Sequence, residues 1–392
     1  MKRGMLPVLA LCLLLAAALP LTAAAEDMTM DEQVDKVFKD TRAVGGAFVV
    51  AQHGEIVYER YYGIQQKTTG VPVDENSFFR CASVTKFVTG IGLMKMMDDG
   101  LLAPDEDIST YLGYTVRNPY YKDTPVTLRM LMSHTAALKE TGSYSSKSSL
   151  LQDMIDVERK AKSNFKSDVR PGTQYAYSNF GAGITGAIVE SVTGQDVSSF
   201  MRGYLFEPLG IEAAYSATQI STPENLTATY HKDGSLYVAP SYMLRQEYLA
   251  EASPDTHYRT TVGSLLIRPR DLARLGMILA GDGTLDGQRV LSEEAIEAMK
   301  TPQSPETTGI TSDSPYSFFT IHQDTLLEGR TVYGHQGTDE GIVCNLYVEP
   351  ENELVIVVMT NGCNTKRDDG IMRITRRLAA IAEDVYIKGN VE

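Results

Sequence analysis

Two hydrophobic rhythms divide the chain. Near both ends, short apolar runs alternate with polar residues or fill in completely, as strands do, whereas the middle shows helical spacing interrupted by turn residues. Ala47-Phe48-Val49-Val50-Ala51 and Ile56 to Tyr61 read as two strands joined by a tight turn at His53-Gly54. A long apolar helical run follows Ser83 and ends near Asp98-Asp99-Gly100. Val126 to His134 has the form of a capped short helix, and Asn179 to Val192 reads as a packed helix whose small residues permit close approach. Pro269-Arg270-Asp271-Leu272 opens another helix with proline in its first turn. Strand candidates then lie at Tyr316–His322, Gly341–Glu349 and Leu354–Thr360, the last two hinged at Pro350-Glu351-Asn352. Leu354 to Met359 is apolar throughout, so it predicts a central strand covered on both faces. An amphipathic helix from about Asp368 to Ile387 closes the chain.

This order implies an α+β protein: an antiparallel sheet flanked by helices and built from both termini, with a mainly helical lobe inserted. The α/β lobe takes residues 35–100 and 255–392, the helical lobe residues 101–254. Ligands favour the cleft between such lobes.

The first residues change the picture of where the protein works. Lys2 and Arg3 precede an apolar stretch from Met5 to Leu19, then Pro20 and Ala23-Ala24-Ala25 before Glu26. That pattern predicts a signal peptide over residues 1–25, since the apolar stretch is short for a membrane span and ends in small residues. Residues 26–392 are then one secreted or periplasmic domain without stable membrane insertion. Removing Lys2 and Arg3 moves the formal charge from -14 to -16 (34 basic against 50 acidic residues). Such a surface excludes nucleic acid and anionic membranes as partners. Cys81, Cys344 and Cys363 form no disulfide framework, with a Cys344–Cys363 bridge left open, and the six histidines are scattered without ligand-like pairs. Neither metal nor cofactor is called for.

Chemistry is concentrated at Ser83-Val84-Thr85-Lys86. Serine three residues before lysine, at the mouth of a helix, places hydroxyl and amine one turn apart on one face. A serine nucleophile needs such a base and donors for the developing oxyanion, which a helix N-terminus offers. The spacing recurs at Ser163-Asn164-Phe165-Lys166, but Pro171-Gly172 follows closely and no apolar helix face is present, so this copy is a decoy. Tyr177-Ser178-Asn179 is the only Tyr-x-Asn in the chain and His335-Gln336-Gly337 the only His-x-Gly. Taken singly, Tyr177 is one of 21 tyrosines and His335 a histidine beside a strand, and packing is the default role of each. Their order after Ser-x-x-Lys is what carries the signal.

With these motifs the sequence resembles the serine β-lactamase-like family, in the branch of class C β-lactamases, D,D-carboxypeptidases, D-aminopeptidases and related esterases. The resemblance extends through Val126–Leu138, Phe206-Glu207-Pro208-Leu209-Gly210-Ile211, Arg270-Asp271-Leu272-Ala273-Arg274 and Gly334-His335-Gln336-Gly337. It implies a β-lactamase/transpeptidase-like fold in which Ser83 is acylated, Lys86 handles its proton and Tyr177 is base or relay. Asn179 holds substrate or orients Lys86, the backbone amides of Ser83 and Thr338 form the oxyanion hole, and His335, Gln336 and Gly337 line the substrate. A Tyr177 phenolate needs positive charge nearby, which Lys86 supplies and His335 is expected to supplement. His335 and Gln336 stand where many relatives carry lysine and a hydroxyl residue, and Asp339 and Glu340 follow. These departures point away from carboxylate-bearing substrates, toward a peptidase, amidase or esterase acting on a small-molecule or peptide substrate. True β-lactamase activity, or a penicillin-recognising fold that binds without turnover, is the alternative.

Overall fold

The computed structural model describes residues 28–141, 150–159, 161–245, 251–303 and 315–389; the signal-peptide segment lies outside them. Helix α1 (Met30–Asp40) comes first, held by a reciprocal cap in which the Thr29 hydroxyl accepts the Glu32 N–H and the Glu32 carboxylate accepts the Thr29 N–H. Strands β1 (Gly45–Gln52) and β2 (Glu55–Gly63) form the expected hairpin, with His53 and Gly54 both at positive φ in the turn. Helix α2 (Val84–Asp98) carries the apolar run after Ser83, and α3 (Asn179–Thr193) and α4 (Pro269–Ala280) match the middle and late helices read from sequence. Then come β3 (Ile321–Leu327), β4 (Arg330–Asp339), β5 (Ile342–Glu349), β6 (Leu354–Thr360) and helix α5 (Arg373–Tyr386).

Among the described residues, these strands make one antiparallel sheet in the order β3-β4-β5-β6-β1-β2. The architecture is therefore α+β, and the sheet joins the two ends of the chain at β6, which pairs Met359 with Ala47 on one side and with Cys344 on the other. Period-2 alternation sorts the side chains. Ala47, Val49, Ala51, Leu346, Val355 and Val357 face the core shared with α2 and α4, while Phe48, Val50, Tyr347, Ile356 and Val358 face a second core under α1 and α5. Each fully buried branched side chain contributes about 1.5–3 kcal/mol. Every residue of β6 is buried, as its unbroken apolar run requires.

The first core continues from the sheet through α2 into Ile184, Ala187 and Ile188 of α3, so lobes and sheet share one apolar interior. Among the described residues, the middle of the chain also carries one-turn helices such as Ile108–Leu112, Leu128–Met132 and Val197–Met201, capped by the Asp107, Thr127 and Asp196 side chains. Short strands Phe79–Arg80, Ala213–Ala214 and Leu266–Ile267 form a small sheet at the entrance to α2.

Two sequence expectations need correction. The strand placed at Tyr316–His322 begins only at Ile321, and β4 was not anticipated at all, because Gly334, His335, Gln336 and Gly337 interrupt its apolar alternation. The last helix starts at Arg373 rather than Asp368, since Arg367–Asp368 pairs with Ile371–Met372 in a small hairpin. All three described cysteines are free, so Cys344 and Cys363 are not bridged; the Cys344 thiol, pushed well up by burial, has Cys81 as its neighbour.

Candidate active site

Ser83 enters α2 from a strained turn. Ala82 sits at φ 45°, a left-handed conformation that costs a non-glycine residue on the order of 1 kcal/mol, and Ser83 follows as the helix N-cap. Its hydroxyl makes no bond to the helix start, which leaves the oxygen for other work.

Lys86 is fully buried one turn on. Its Nζ lies 3.2 Å from Ser83 Oγ, 2.9 Å from Asn179 Oδ1 and 2.8 Å from the Val262 carbonyl. Burial lowers its pKa from 10.5 to about 7, with the Glu140 carboxylate pulling weakly the other way. A large share of Lys86 is therefore neutral amine at neutral pH. The Asn179 and Val262 oxygens only accept, so they take the two N–H groups of that amine and leave its lone pair for the Ser83 hydroxyl proton.

The second motif is fixed by α3. Ser178 caps the helix, its Oγ accepting the Gly181 N–H at 2.9 Å, and Asn179 is the first helical residue. Glu140 accepts from the Ser178 hydroxyl at 2.7 Å and the Phe180 N–H at 3.0 Å, a carboxylate where the helix dipole favours one. This start places the half-buried Tyr177 ring with its centroid 5.1 Å from Lys86 Nζ and 6.3 Å from the His335 ring.

The third motif lies within β4. β3 pairs with β4 only as far as Gly334, so among the described residues only β5 pairs with positions 335–339. A Cβ on Gly337 would stand 2.4 Å from the Cys81 carbonyl oxygen and 2.9 Å from Ser83 N. The chain's own backbone at the α2 entrance thus demands glycine, a nearer reason than the substrate approach expected from sequence. Thr338 follows, half-buried and paired with Val343 of β5.

His335 does not supplement the positive charge. Its Nδ1 lies 2.7 Å from the Gln336 carbonyl, which can only accept, so Nδ1 carries the hydrogen and Nε2 accepts from the Tyr316 hydroxyl at 2.9 Å. Burial, reinforced by Lys86, holds its pKa at about 3, and the ring is neutral at physiological pH. Gln336 is engaged with Arg367, whose Nη1 donates to its Oε1 at 2.9 Å. Asp339 is paired with the Arg80 guanidinium, and the Glu340 carboxylate lies 3.0 Å from His231 Nδ1, so both acids past the motif are engaged by neighbours.

The structure thus gathers Ser83, Lys86, Tyr177, Asn179, His335 and Gly337 in one place and ties Gln336 to a neighbouring hairpin. The decoy falls elsewhere: Ser163 is exposed at the end of a single turn, Ala161–Ser163, and the Lys166 N–H bonds to the Ala137 carbonyl. Sequence reasoning missed Val262, Glu140 and Tyr316, whose contacts depend on distant segments that carry no motif. It touched His134 only as part of Val126–Leu138.

The chain is similar to several known proteins. Esterase EstB of Burkholderia gladioli is 28% identical over 226 residues, 55% of this chain and 57% of that enzyme, so the match spans little more than half of its length. The D-alanyl-D-alanine-carboxypeptidase/endopeptidase AmpH of Escherichia coli K12 is 28% identical over 274 residues, 64% of this chain and 70% of AmpH. Among solved structures, the D-amino acid amidase from Ochrobactrum anthropi SV3 complexed with L-phenylalanine amide superposes with a TM-score of 0.69 at 20% identity, covering 93% of this chain and 99% of the amidase. The octameric penicillin-binding protein homologue from Pyrococcus abyssi gives 0.71 at 19% identity over 91% of this chain and 76% of the homologue. Both share the fold. Residues 29–381 match the model of the Beta-lactamase family, and with the Ser-x-x-Lys helix, the Tyr-x-Asn cap and the third-motif strand assembled as described, the chain belongs to that family.

Proposed function

We propose that this chain is an exported hydrolase that forms an acyl-enzyme on Ser83 and cleaves an amide or ester whose end facing the third motif carries no carboxylate. The observation that carries the reading is Lys86: a fully buried amine 3.2 Å from Ser83 Oγ, with its pKa near neutrality and its other contacts both acceptors. In this mechanism Ser83 Oγ attacks the carbonyl carbon as its proton passes to Lys86 Nζ. The Ser83 and Thr338 amides receive the oxyanion, and Tyr177 relays the proton to the leaving amine or alcohol. Water then attacks the acyl-enzyme by the reverse proton path.

The preference for a neutral end rests on His335, which is uncharged and has both ring nitrogens engaged, and on Gln336, whose side-chain oxygen is bound by Arg367. Neither offers the permanent cation that a carboxylate wants. Labelling with a fluorophosphonate or a fluorescent penicillin, followed by peptide mapping, tests the acyl-enzyme; label on any residue but Ser83 overturns it. A panel of D-amino acid amides, p-nitrophenyl esters, D-Ala-D-Ala peptides and a chromogenic cephalosporin tests the substrate class. A tenfold or greater preference for the free carboxylate replaces this reading with a carboxypeptidase or β-lactamase. N-terminal sequencing of native material tests export, with Glu26 expected as the first residue and an intact Met1 on cytoplasmic protein refuting it.

A further inference from the structure

His134 follows the short helix Leu128–Met132 and is almost completely buried. Its backbone is left-handed at φ 56°, a conformation uncommon for a residue with a bulky ring, and strain of that kind persists only where surrounding contacts impose it. Here the contacts are two hydrogen bonds to the second motif. The His134 carbonyl accepts the Ala176 N–H at 2.8 Å, and its ring Nδ1 accepts the Ser178 N–H at 3.2 Å. The bonds fall one residue before and one residue after Tyr177. The ring also packs on Tyr177 with centroids 4.4 Å apart and on Tyr316 at 4.7 Å.

The Ser178 bond determines the tautomer. An N–H donor on Nδ1 requires a bare nitrogen there, so the hydrogen sits on Nε2, which is buried with no hydrogen-bond partner among the described residues. Burial, Lys86 and His335 all disfavour the charged ring, and its pKa lies well below 6.5. His134 is therefore a neutral acceptor in a cage of aromatic rings.

We propose that His134 is the positioning residue for Tyr177: carbonyl and Nδ1 together hold the backbone on both sides of Tyr177 so that the phenol stays beside Lys86 and Ser83. The inference rests on the reading of Ser83, Lys86 and Tyr177 as an acyl-transfer site. Misplacing a proton-transfer group by about 1 Å costs up to roughly 10²-fold in rate without a matching loss of substrate binding.

Two variants separate the Nδ1 acceptor from the ring. His134→Asn keeps an acceptor near the Nδ1 position and tolerates the left-handed backbone, but loses ring packing. His134→Phe keeps a ring and loses the acceptor, leaving the buried Ser178 N–H unpaired. The expected result is a kcat lowered at least tenfold in His134→Phe with KM within about threefold, and recovery of most of that loss in His134→Asn, whatever the order of their melting temperatures. Wild-type kcat in His134→Phe, or kcat in both variants following the fraction folded, overturns the inference. A readout independent of activity accompanies these: ring ¹⁵N spectra of the wild type are expected to show His134 as the neutral Nε2–H tautomer at pH 7. An Nδ1–H signal in an active enzyme removes the clamp and leaves the hydrolase reading intact. A wild type that no acylating probe labels removes the hydrolase reading, and the positioning role with it.

Discussion

Replacing Lys86 by methionine isolates the energetic cost of keeping an amine in the interior. The folded pKa of about 7 stands against an ordinary 10.5. Between those values the unfolded chain binds more protons than the native one, so native stability rises with pH. Below about pH 7 the full penalty is present, and the gap between about 7 and 10.5, at about 1.4 kcal/mol per pH unit, makes it roughly 5 kcal/mol. Methionine removes the titration and leaves Asn179 Oδ1 and the Val262 carbonyl without their donor, at about 1–3 kcal/mol each, so the net change at low pH is small. The slope is the clean observable. From about pH 6 to pH 9 the wild type should gain roughly 3 kcal/mol on Lys86→Met, a relative midpoint shift of about 1 M in urea for an m-value near 3 kcal/mol/M. Equilibrium urea unfolding of both proteins at several pH values reads this, and the titrations of tyrosines and carboxylates common to both cancel in the difference. A difference that stays flat within about 0.5 kcal/mol would mean that Lys86 titrates near its ordinary pKa and is a cation at neutral pH, and the neutral-base reading would fail.

The other predictions concern the same cluster. Ser83→Ala should abolish labelling by a fluorophosphonate while Ser163→Ala leaves it unchanged; the reverse pattern would identify the decoy as the nucleophile. Tyr177→Phe keeps the ring and should slow acylation by roughly 10²-fold or more at unchanged melting temperature, and an unchanged rate would demote Tyr177 to packing. Gly337→Ala should cost at least about tenfold in kcat/KM, because its Cβ would meet backbone atoms of Cys81 and Ser83 that cannot yield without moving the nucleophile; wild-type kinetics would show that β4 has room to withdraw. The kcat/KM profile should rise with pH through about 7 as Lys86 loses its proton, and a profile flat from pH 5 to 8 would exclude Lys86 as the base.

What sequence made legible was what short-range pattern encodes. The apolar run of β6, the alternation of β5 and the helical spacing of α2 and α3 were all readable, because such periods are local. β4 was not, since its glycines and polar residues serve contacts with the α2 entrance and Tyr316 that exist only after folding. The same limit applies to electrostatics. His335 looked like a titratable cation and Asp339 and Glu340 like free acids, and only three-dimensional neighbours turn the first neutral and pair the other two.

The pairing of β1 with β6 joins Gly46 to Thr360. During synthesis at roughly 5–20 residues per second, β1 waits on the order of 15–60 s for that partner. For that interval an eight-residue strand that is apolar on both faces has an open edge, the condition under which chains aggregate edge to edge. The nucleophile shares the delay, because the strand carrying Gly337 is made late as well. The nascent chain therefore holds Ser83 and Lys86 without the rest of the site until the last strands close the sheet.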